Sequence, residues 1–227
     1  MTYAMSDIHG CYDKFAAALE KISFSSNDTL YILGDIVDRG PDGIKIILDI
    51  SKRENVIALR GNHDHEALVL LKNLALPSDD PRADEFIGTF KMWAWDGGMP
   101  TYESFLKLSD DGKREVLAFL NSMPVYEEIE IGKQKYFLSH TVPEKEKMQD
   151  FDRCNMADFL TGHPEYEKVY FDDKIIVTGH TPTGLIDKDF SGRIWRKNNH
   201  AAIDCGAVFG KPLGCICLET GQEFYAD

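Results

Sequence analysis

Leu30-Tyr31-Ile32-Leu33-Gly34-Asp35-Ile36-Val37-Asp38-Arg39-Gly40-Pro41 is the stretch whose reading decides the architecture. A short apolar run that breaks straight into Gly-Asp reads as a strand, Thr29 to Leu33, ending in a polar turn. Pro41, with φ preset near the helical value, suits the first position of a helix carrying Ile44, Ile47 and Leu48. The same unit recurs on both sides. Upstream, an apolar strand Tyr3 to Met5 gives way to Asp7-Ile8-His9-Gly10, then to helical spacing over Tyr12 to Ile22 through Phe15 and Leu19. Downstream, Asn55 to Leu59 gives way to Gly61-Asn62-His63-Asp64 and a helix through Ala67, Leu68 and Leu71. Strand–helix–strand repeats at this spacing predict a parallel sheet with right-handed crossovers.

Beyond this third the pattern changes. Leu76 to Pro81 reads as a loop, and helices follow, the clearest over Asp111 to Leu120. The interval 75–123 is therefore expected to be a helical insertion covering one edge of the sheet, within a single domain spanning 1–227. After Met123-Pro124 the chain turns to strands: Val125 to Ile131, Lys135 to Ser139, Ile175 to Thr178, Arg193 to Arg196, Ala201 to Asp204 and Leu213 to Leu218. Two mixed β-sheets packed together and flanked by helices, an α/β four-layer fold, accommodate both halves.

The 227 residues carry 25 Lys+Arg against 38 Asp+Glu, a net charge of −13 that repels nucleic acid and anionic membranes. With hydrophobic residues at 43% and charged residues at 28%, disorder and fibrous repeats are excluded. No apolar run reaches the ~20 residues of a membrane helix. The 5 cysteines form no CxxC pair, and Met1 to Asp7 lacks the basic and apolar stretches of a signal peptide, so a reducing cytoplasm is expected.

Five polar clusters close the predicted strands, where open α/β sheets place their ligands: the Asp7, Asp35 and Asn62 clusters, His140, and Gly179-His180. Asp-x-His in an extended segment projects both side chains to one side, within reach of one ion. Imidazole nitrogen with carboxylate and amide oxygen suits borderline dications such as manganese, iron or zinc. A shared carboxylate can bridge two ions about 3.5–4 Å apart, the arrangement used in phosphoryl chemistry.

In order and content these motifs, from Asp7 to His180, resemble the phosphoprotein phosphatase family within the calcineurin-like metallophosphoesterases. The closest likeness is to the bacterial serine/threonine protein phosphatase-like branch, which also includes symmetric dinucleoside-tetraphosphate hydrolases. The resemblance implies that Asp7, His9 and Asp35 hold a first metal, and that Asp35 bridges to a second completed by Asn62, His140 and His180. It implies two divalent ions, manganese first with iron or zinc as alternatives. Hydroxide bridging them would attack phosphorus directly, His63 would be the general acid oriented by Asp38, and Arg39 and Arg60 would grip the phosphate. Pro182 stands where phosphodiesterase relatives carry a final histidine, and Asp38-Arg39-Gly40 is a phosphatase-type tail. Ser6 and Thr141 depart from the pattern, and Arg153 is the one arginine between the last two metal histidines.

Asp64 taken alone reads as an ordinary helix-start residue, and His65, His163 and His200 as solvated. Trp93, Trp95 and Tyr102 read as packing of the insertion, with a cleft wall as the alternative. Cys11 reads as a small buried hydrophobe. Three functions remain. Hydrolysis of phosphoserine, phosphothreonine or phosphotyrosine on a protein or peptide partner ranks first, on the modest length, Gly97-Gly98 and Thr181-Pro182-Thr183. Symmetric dinucleoside-tetraphosphate hydrolysis ranks second, because the same metal core serves both, and a non-catalytic phospho-binding scaffold ranks third. Neither a nucleic acid, a membrane nor a regulatory subunit is expected as partner.

Overall fold

A computed structural model describes residues 1–74 and 80–227, so most of the loop read over 76–81 and the start of the expected insertion lie outside the described residues. The first third alternates as the sequence predicts: β1 (Thr2–Met5), α1 (Tyr12–Lys21), β2 (Thr29–Leu33), α2 (Gly43–Ile50), β3 (Val56–Leu59) and α3 (Asn62–Lys72). Three helices follow, α4 (Ala83–Trp93), α5 (Met99–Leu106) and α6 (Asp110–Ser122), the last capped by Ser109 Oγ accepting from Gly112 N at 3.2 Å. They pack on α2 and α3, on the helical side of the first sheet.

The second half runs β4 (Tyr126–Ile131), β5 (Gln134–Ser139), α7 (Lys145–Gln149), α8 (Met156–Thr161), β6 (Lys174–Thr178), α9 (Thr183–Ile186), β7 (Trp195–Lys197), β8 (His200–Ala202), β9 (Leu213–Cys217) and β10 (Glu223–Ala226). Two five-stranded mixed sheets result, in the orders β10-β9-β1-β2-β3 and β4-β5-β6-β8-β7. β1, β2 and β3 are parallel, and so are β5, β6 and β8. The first sheet thus takes two antiparallel strands from the chain's end, β9 pairing with β1 through Ala4 and Ile216.

The four layers follow from strand alternation. Side chains on successive strand residues point to opposite faces. In β2, Leu30 and Ile32 join Phe15, Ile47 and Leu68 under the helices, while Tyr31 and Leu33 join Tyr136, Leu138 and Val177 between the sheets. In β5 and β6, Phe137 and Ile176 turn outward to Met148 and Phe159 beneath α7 and α8. Every strand of this inner pair is apolar on both faces, and each fully buried Leu, Ile or Phe contributes about 1.5–3 kcal/mol relative to exposure. The carboxyl ends of β1, β2, β3, β5 and β6 consequently emerge together at one rim. That rim is where the sequence put its polar clusters.

Candidate active site

The loops at this rim fold under strain. Asp7, His9, Asp35, Asp38, Arg39 and His180 all have positive φ, between 43° and 69°, whereas elsewhere among the described residues only Ser23 and the turn Asn198-Asn199 are non-glycine exceptions. Such conformations cost on the order of 1–3 kcal/mol each and persist only when the surroundings overdetermine them. Here the surroundings do. Asp7 N donates to Gly34 O at 3.1 Å and His9 N to Asp35 O at 2.9 Å, tying the first two loops together. A Cβ at Gly61 would lie 2.1 Å from Asp35 Oδ1, so only glycine lets the third loop close on that carboxylate.

Asp64 fixes the same junction. Its Oδ2 accepts from Asp35 N at 2.8 Å and Gly61 N at 3.0 Å, and its Oδ1 from Ile36 N at 3.0 Å and Val37 N at 3.4 Å. It is a helix-start residue, as the sequence suggests, but it also locks the Asp35 loop to α3.

Two clusters of ligand atoms within 4.8 Å of one another share Asp35: His9, Asp35 and His63, and Asp35, His140 and His180. Asp35 Oδ2 stands 3.5 Å from His9 Nε2 and 3.5 Å from His140 Nε2, equidistant between the two. Both imidazoles are oriented by backbone: His9 Nδ1 is 2.9 Å from Val37 O and His140 Nδ1 is 2.8 Å from Leu33 O. The network therefore puts the proton on Nδ1 of each and leaves the Nε2 lone pairs toward Asp35. Asn62 Oδ1 faces His140 Nε2 at 3.0 Å, and His180 Nδ1 lies 3.1 Å from it. Lone pairs of Asn62, Asp35 and His140 thus converge without a proton to place between them, an arrangement that a cation satisfies.

The electrostatics agree. Burial holds His9 and His140 well below the ordinary imidazole range, so both are neutral, and burial pushes His180 down to about 4. Burial also pushes the carboxyls of Asp7 and Asp35 well up, with Asp204 the next cause for Asp7 and Asp7 the next for Asp35. Buried carboxyls crowded together call for positive charge, which two dications supply. Asp7 itself sits beside the clusters, its Oδ2 accepting from Ser6 Oγ and from His180 N at 2.9 Å.

Asp38 and His63 form a buried pair, Nδ1 to Oδ2 at 2.8 Å. Asp38 is fastened from the helices: Trp93 Nε1 donates to its Oδ2 at 2.7 Å, and Thr101 Oγ1 to its Oδ1 at 2.7 Å while accepting its N–H at 2.9 Å. Trp93 and Thr101 bracket a wide helical turn, Ala94–Gly98, broken at Gly97 with φ 104°. Gly97 O accepts from Arg39 N at 2.8 Å. Arg39 reaches back across the rim, Nη1 donating to His9 Nε2 at 2.7 Å and Nη2 to His63 Nε2 at 2.8 Å. The half-exposed Asp96 carboxylate is 3.6 Å from His63 Nε2 and 3.8 Å from Arg39 Nη2.

Asp7, His9, Asp35, Asp38, Arg39, Asn62, His63, His140 and His180 are brought together. Arg60 is not. Its Nη2 donates to Leu120 O at 3.0 Å and Asn121 O at 2.9 Å. The unpaired carbonyls and negative dipole end of α6 attract a cation, so this guanidinium serves a helix terminus rather than a phosphate. Arg153 is exposed beside Asp150 at 3.9 Å. His200, read as solvated, is 3% exposed. The aromatic trio divides: Trp93 is 1% exposed and bonded to Asp38, Trp95 is 90% exposed, and Tyr102 packs edge-on to Phe90. Cys11 is half-buried, which pushes its thiol up.

Sequence reasoning missed Trp93, Thr101 and Asp204 as neighbours of the site. Burial pushes the Asp204 carboxyl up to about 6, and its Oδ1 accepts from Gly206 N at 2.8 Å. Ile203-Asp204-Cys205-Gly206 repeats the strand-then-Asp-near-Gly signature of Leu33-Gly34-Asp35 and was legible on that ground. Nothing in the spacing of Trp93 and Thr101 marks them.

Comparison with known proteins bears on this rim. Among curated relatives, the symmetrical bis(5'-nucleosyl)-tetraphosphatase of Buchnera aphidicola is 36% identical over 121 residues, 51% of this chain and 42% of that protein. That of Delftia acidovorans is 47% identical over 64 residues, 27% of this chain and 23% of that protein. The chain thus spans less than half the length of these relatives. Of solved structures, one provisionally described as a diadenosine tetraphosphatase superposes with a TM-score of 0.69 at 18% identity, covering 99% of this chain and 92% of that one. A protein serine/threonine phosphatase of Saccharomyces cerevisiae superposes with a TM-score of 0.59 at 14% identity, covering 100% and 79%. At those identities the likeness speaks for the fold. The calcineurin-like phosphoesterase family model matches residues 2–210, taking in every loop of the rim, and to that family the chain belongs.

Proposed function

We propose that the chain hydrolyses dinucleoside tetraphosphates symmetrically, to two nucleoside diphosphates, in a dinuclear metal site. The observation that carries the reading is the identity of 36% over 121 residues with a symmetrical bis(5'-nucleosyl)-tetraphosphatase, a level the phosphatase structures do not approach. This inverts the order in which the sequence alone ranks the two substrates.

In this reading Asp7, His9 and Asp35 hold one dication, and Asp35, Asn62, His140 and His180 the other, with the identity of the metal left to the donor set: manganese, iron or zinc. When bound, the ions lower the pKa of a coordinated water and offset phosphate charge. The chain's residues supply the rest. Arg39, now donating to His9 and His63, turns its forked donors to a phosphate oxygen. His63 Nε2 delivers a proton to the departing oxygen, while Asp38 holds the opposite nitrogen and stabilises the charged ring. Trp93 and Thr101 keep Asp38 from swinging toward the ions.

The test is a comparison of turnover by the manganese-loaded protein on diadenosine tetraphosphate, a phosphoserine peptide and a phosphotyrosine peptide. A kcat/KM at least tenfold higher on the dinucleotide, about 1.4 kcal/mol in barrier, with ADP as sole product, is expected. Faster peptide hydrolysis, or ATP and AMP as products, overturns it.

A further inference from the structure

Two aromatic side chains, Phe209 at the rim and Trp95 beside the rim residue Asp96, pack on no other ring among the described residues. Trp95 is 90% exposed and Phe209 is 62% exposed. Among the described residues neither stacks on another ring, whereas Phe151, also exposed, packs against Tyr126, Phe137 and Phe159. Exposing a large aromatic face without packing gains nothing for the fold.

Phe209 and the residue next to Trp95 come from distant parts of the chain to the same group. The Arg39 guanidinium carbon lies 5.5 Å from the centre of the Phe209 ring. Trp95 immediately precedes Asp96, whose carboxylate is 3.8 Å from Arg39 Nη2 and 3.6 Å from His63 Nε2. Phe209 sits at the apex of a single tight turn, Ala207–Phe209, whose flanking Gly206 and Gly210 have φ of 82° and 79°. That geometry presents the ring outward beside the phosphate-binding arginine and not down into the core.

We propose that Phe209 and Trp95 are the stacking platforms for the two nucleobases of a dinucleoside polyphosphate whose central bond lies over the metal site. The inference rests on the substrate reading above and adds where each nucleoside is held. In such a substrate two phosphates and a ribose separate each base from the scissile bond, so base platforms belong at the mouth of the site and not among the ligands. Both rings have a free face, and stacking tolerates any base because every base has a π-face. Arg39 against one face of Phe209 draws electron density from the ring, which favours a planar, electron-rich heterocycle such as a purine on the opposite face.

The experiment is calorimetric binding of ADP and of inorganic diphosphate to the manganese-loaded protein and to Phe209→Ala, Trp95→Ala and Phe209→Trp. Both side chains are exposed, so the variants fold. The wild type is expected to bind ADP more tightly than diphosphate. Each alanine variant is expected to weaken one of the two ADP sites by about five- to 150-fold, the range of base stacking, with diphosphate affinity changed threefold or less. Phe209→Trp is expected to retain ADP binding. Equal binding of ADP and diphosphate by the wild type, or undiminished ADP binding by a Phe209→Ala Trp95→Ala double variant, overturns the inference. If the wild type cleaves diadenosine tetraphosphate and these results are still found, the stacking assignment alone is wrong. If it prefers a phosphopeptide and the alanine variants raise KM for that peptide instead, both readings fall.

Discussion

Replacing Asp64 by Asn changes one atom of a side chain that never contacts a metal ligand's side chain, and it is expected to destabilise the protein and empty the site together. The wild-type carboxylate accepts four backbone N–H groups, from Asp35 at 2.8 Å, Gly61 at 3.0 Å, Ile36 at 3.0 Å and Val37 at 3.4 Å. An amide of the same shape must turn its NH2 toward one of those two pairs, whichever way it is placed. Two buried N–H groups then lose their acceptor, at about 1–3 kcal/mol each. The sum, about 2–6 kcal/mol, is a large part of the 5–15 kcal/mol that holds a typical domain folded. For a chain of this size it corresponds to a fall in Tm of roughly 4–24 °C. Because the unsatisfied groups lie on the Asp35 loop, the shared ligand shifts as well. The assay is thermal unfolding of the metal-free variant followed by metal content after reconstitution, with the exposed Asp13→Asn as a control expected within about 0.5 kcal/mol of wild type. An Asp64→Asn protein that melts within 2 °C of wild type and binds two ions per chain refutes the argument.

His63→Asn is expected to keep both ions and to lose about 10²–10⁴ in rate on phosphoserine, but far less on diadenosine tetraphosphate, since a diphosphate leaves more readily than an alkoxide. Equal losses on both substrates count against His63 as the proton donor. Trp93→Phe removes the 2.7 Å donor to Asp38 while keeping a ring, and is expected to cost about 1.5–3 kcal/mol in stability and about tenfold in kcat on alkyl phosphates, read by urea unfolding and by steady-state kinetics. His200 gives a pH prediction. Burial pushes its imidazole down to about 3 from an ordinary 6.5, so between those values the unfolded chain binds a proton that the folded chain refuses. Stability is therefore full above pH 6.5 and declines as pH falls toward 3, by up to about 1.4 kcal/mol per pH unit from this residue. Urea midpoints measured from pH 7 to pH 4 should fall less steeply in His200→Gln by one proton's worth, and parallel slopes contradict the assignment.

The first half of the fold was legible because its signals are local. Each strand, its polar loop and the helix behind it occupy about 17–22 consecutive residues, and apolar runs such as Thr29–Leu33 break where the strand ends. Pairing across the chain was not legible. Alternation in Leu213–Cys217 tells which faces are buried, not that Ile216 lies against Ala4 in the first sheet. The short C-terminal strand Glu223–Ala226 went unread for the same reason. At the site, residues within a motif could be placed and those beyond it could not. The family resemblance implies a phosphate for Arg60, which adjoins Gly61-Asn62-His63, yet its side chain leaves the rim for the carbonyls at the end of α6. Trp93 and Thr101 reach Asp38 only because α4 and α5 fold back over α2 and α3, a packing decision made by many weak apolar contacts and written in no short pattern.

The left-handed backbone at Asp7, His9, Asp35, Asp38, Arg39 and His180 sets folding and chemistry against each other. Glycine or asparagine adopts that conformation with less strain than Arg39 or His9 does, so substitution there tends to raise the melting point while deleting a functional group. A population selected in the laboratory for heat resistance alone would drift toward a sturdier and catalytically silent protein. Conversely, a homologous chain that has retired from catalysis should show its history first at these positions, with glycines and asparagines accumulating at the rim while the apolar strands beneath it stay unchanged.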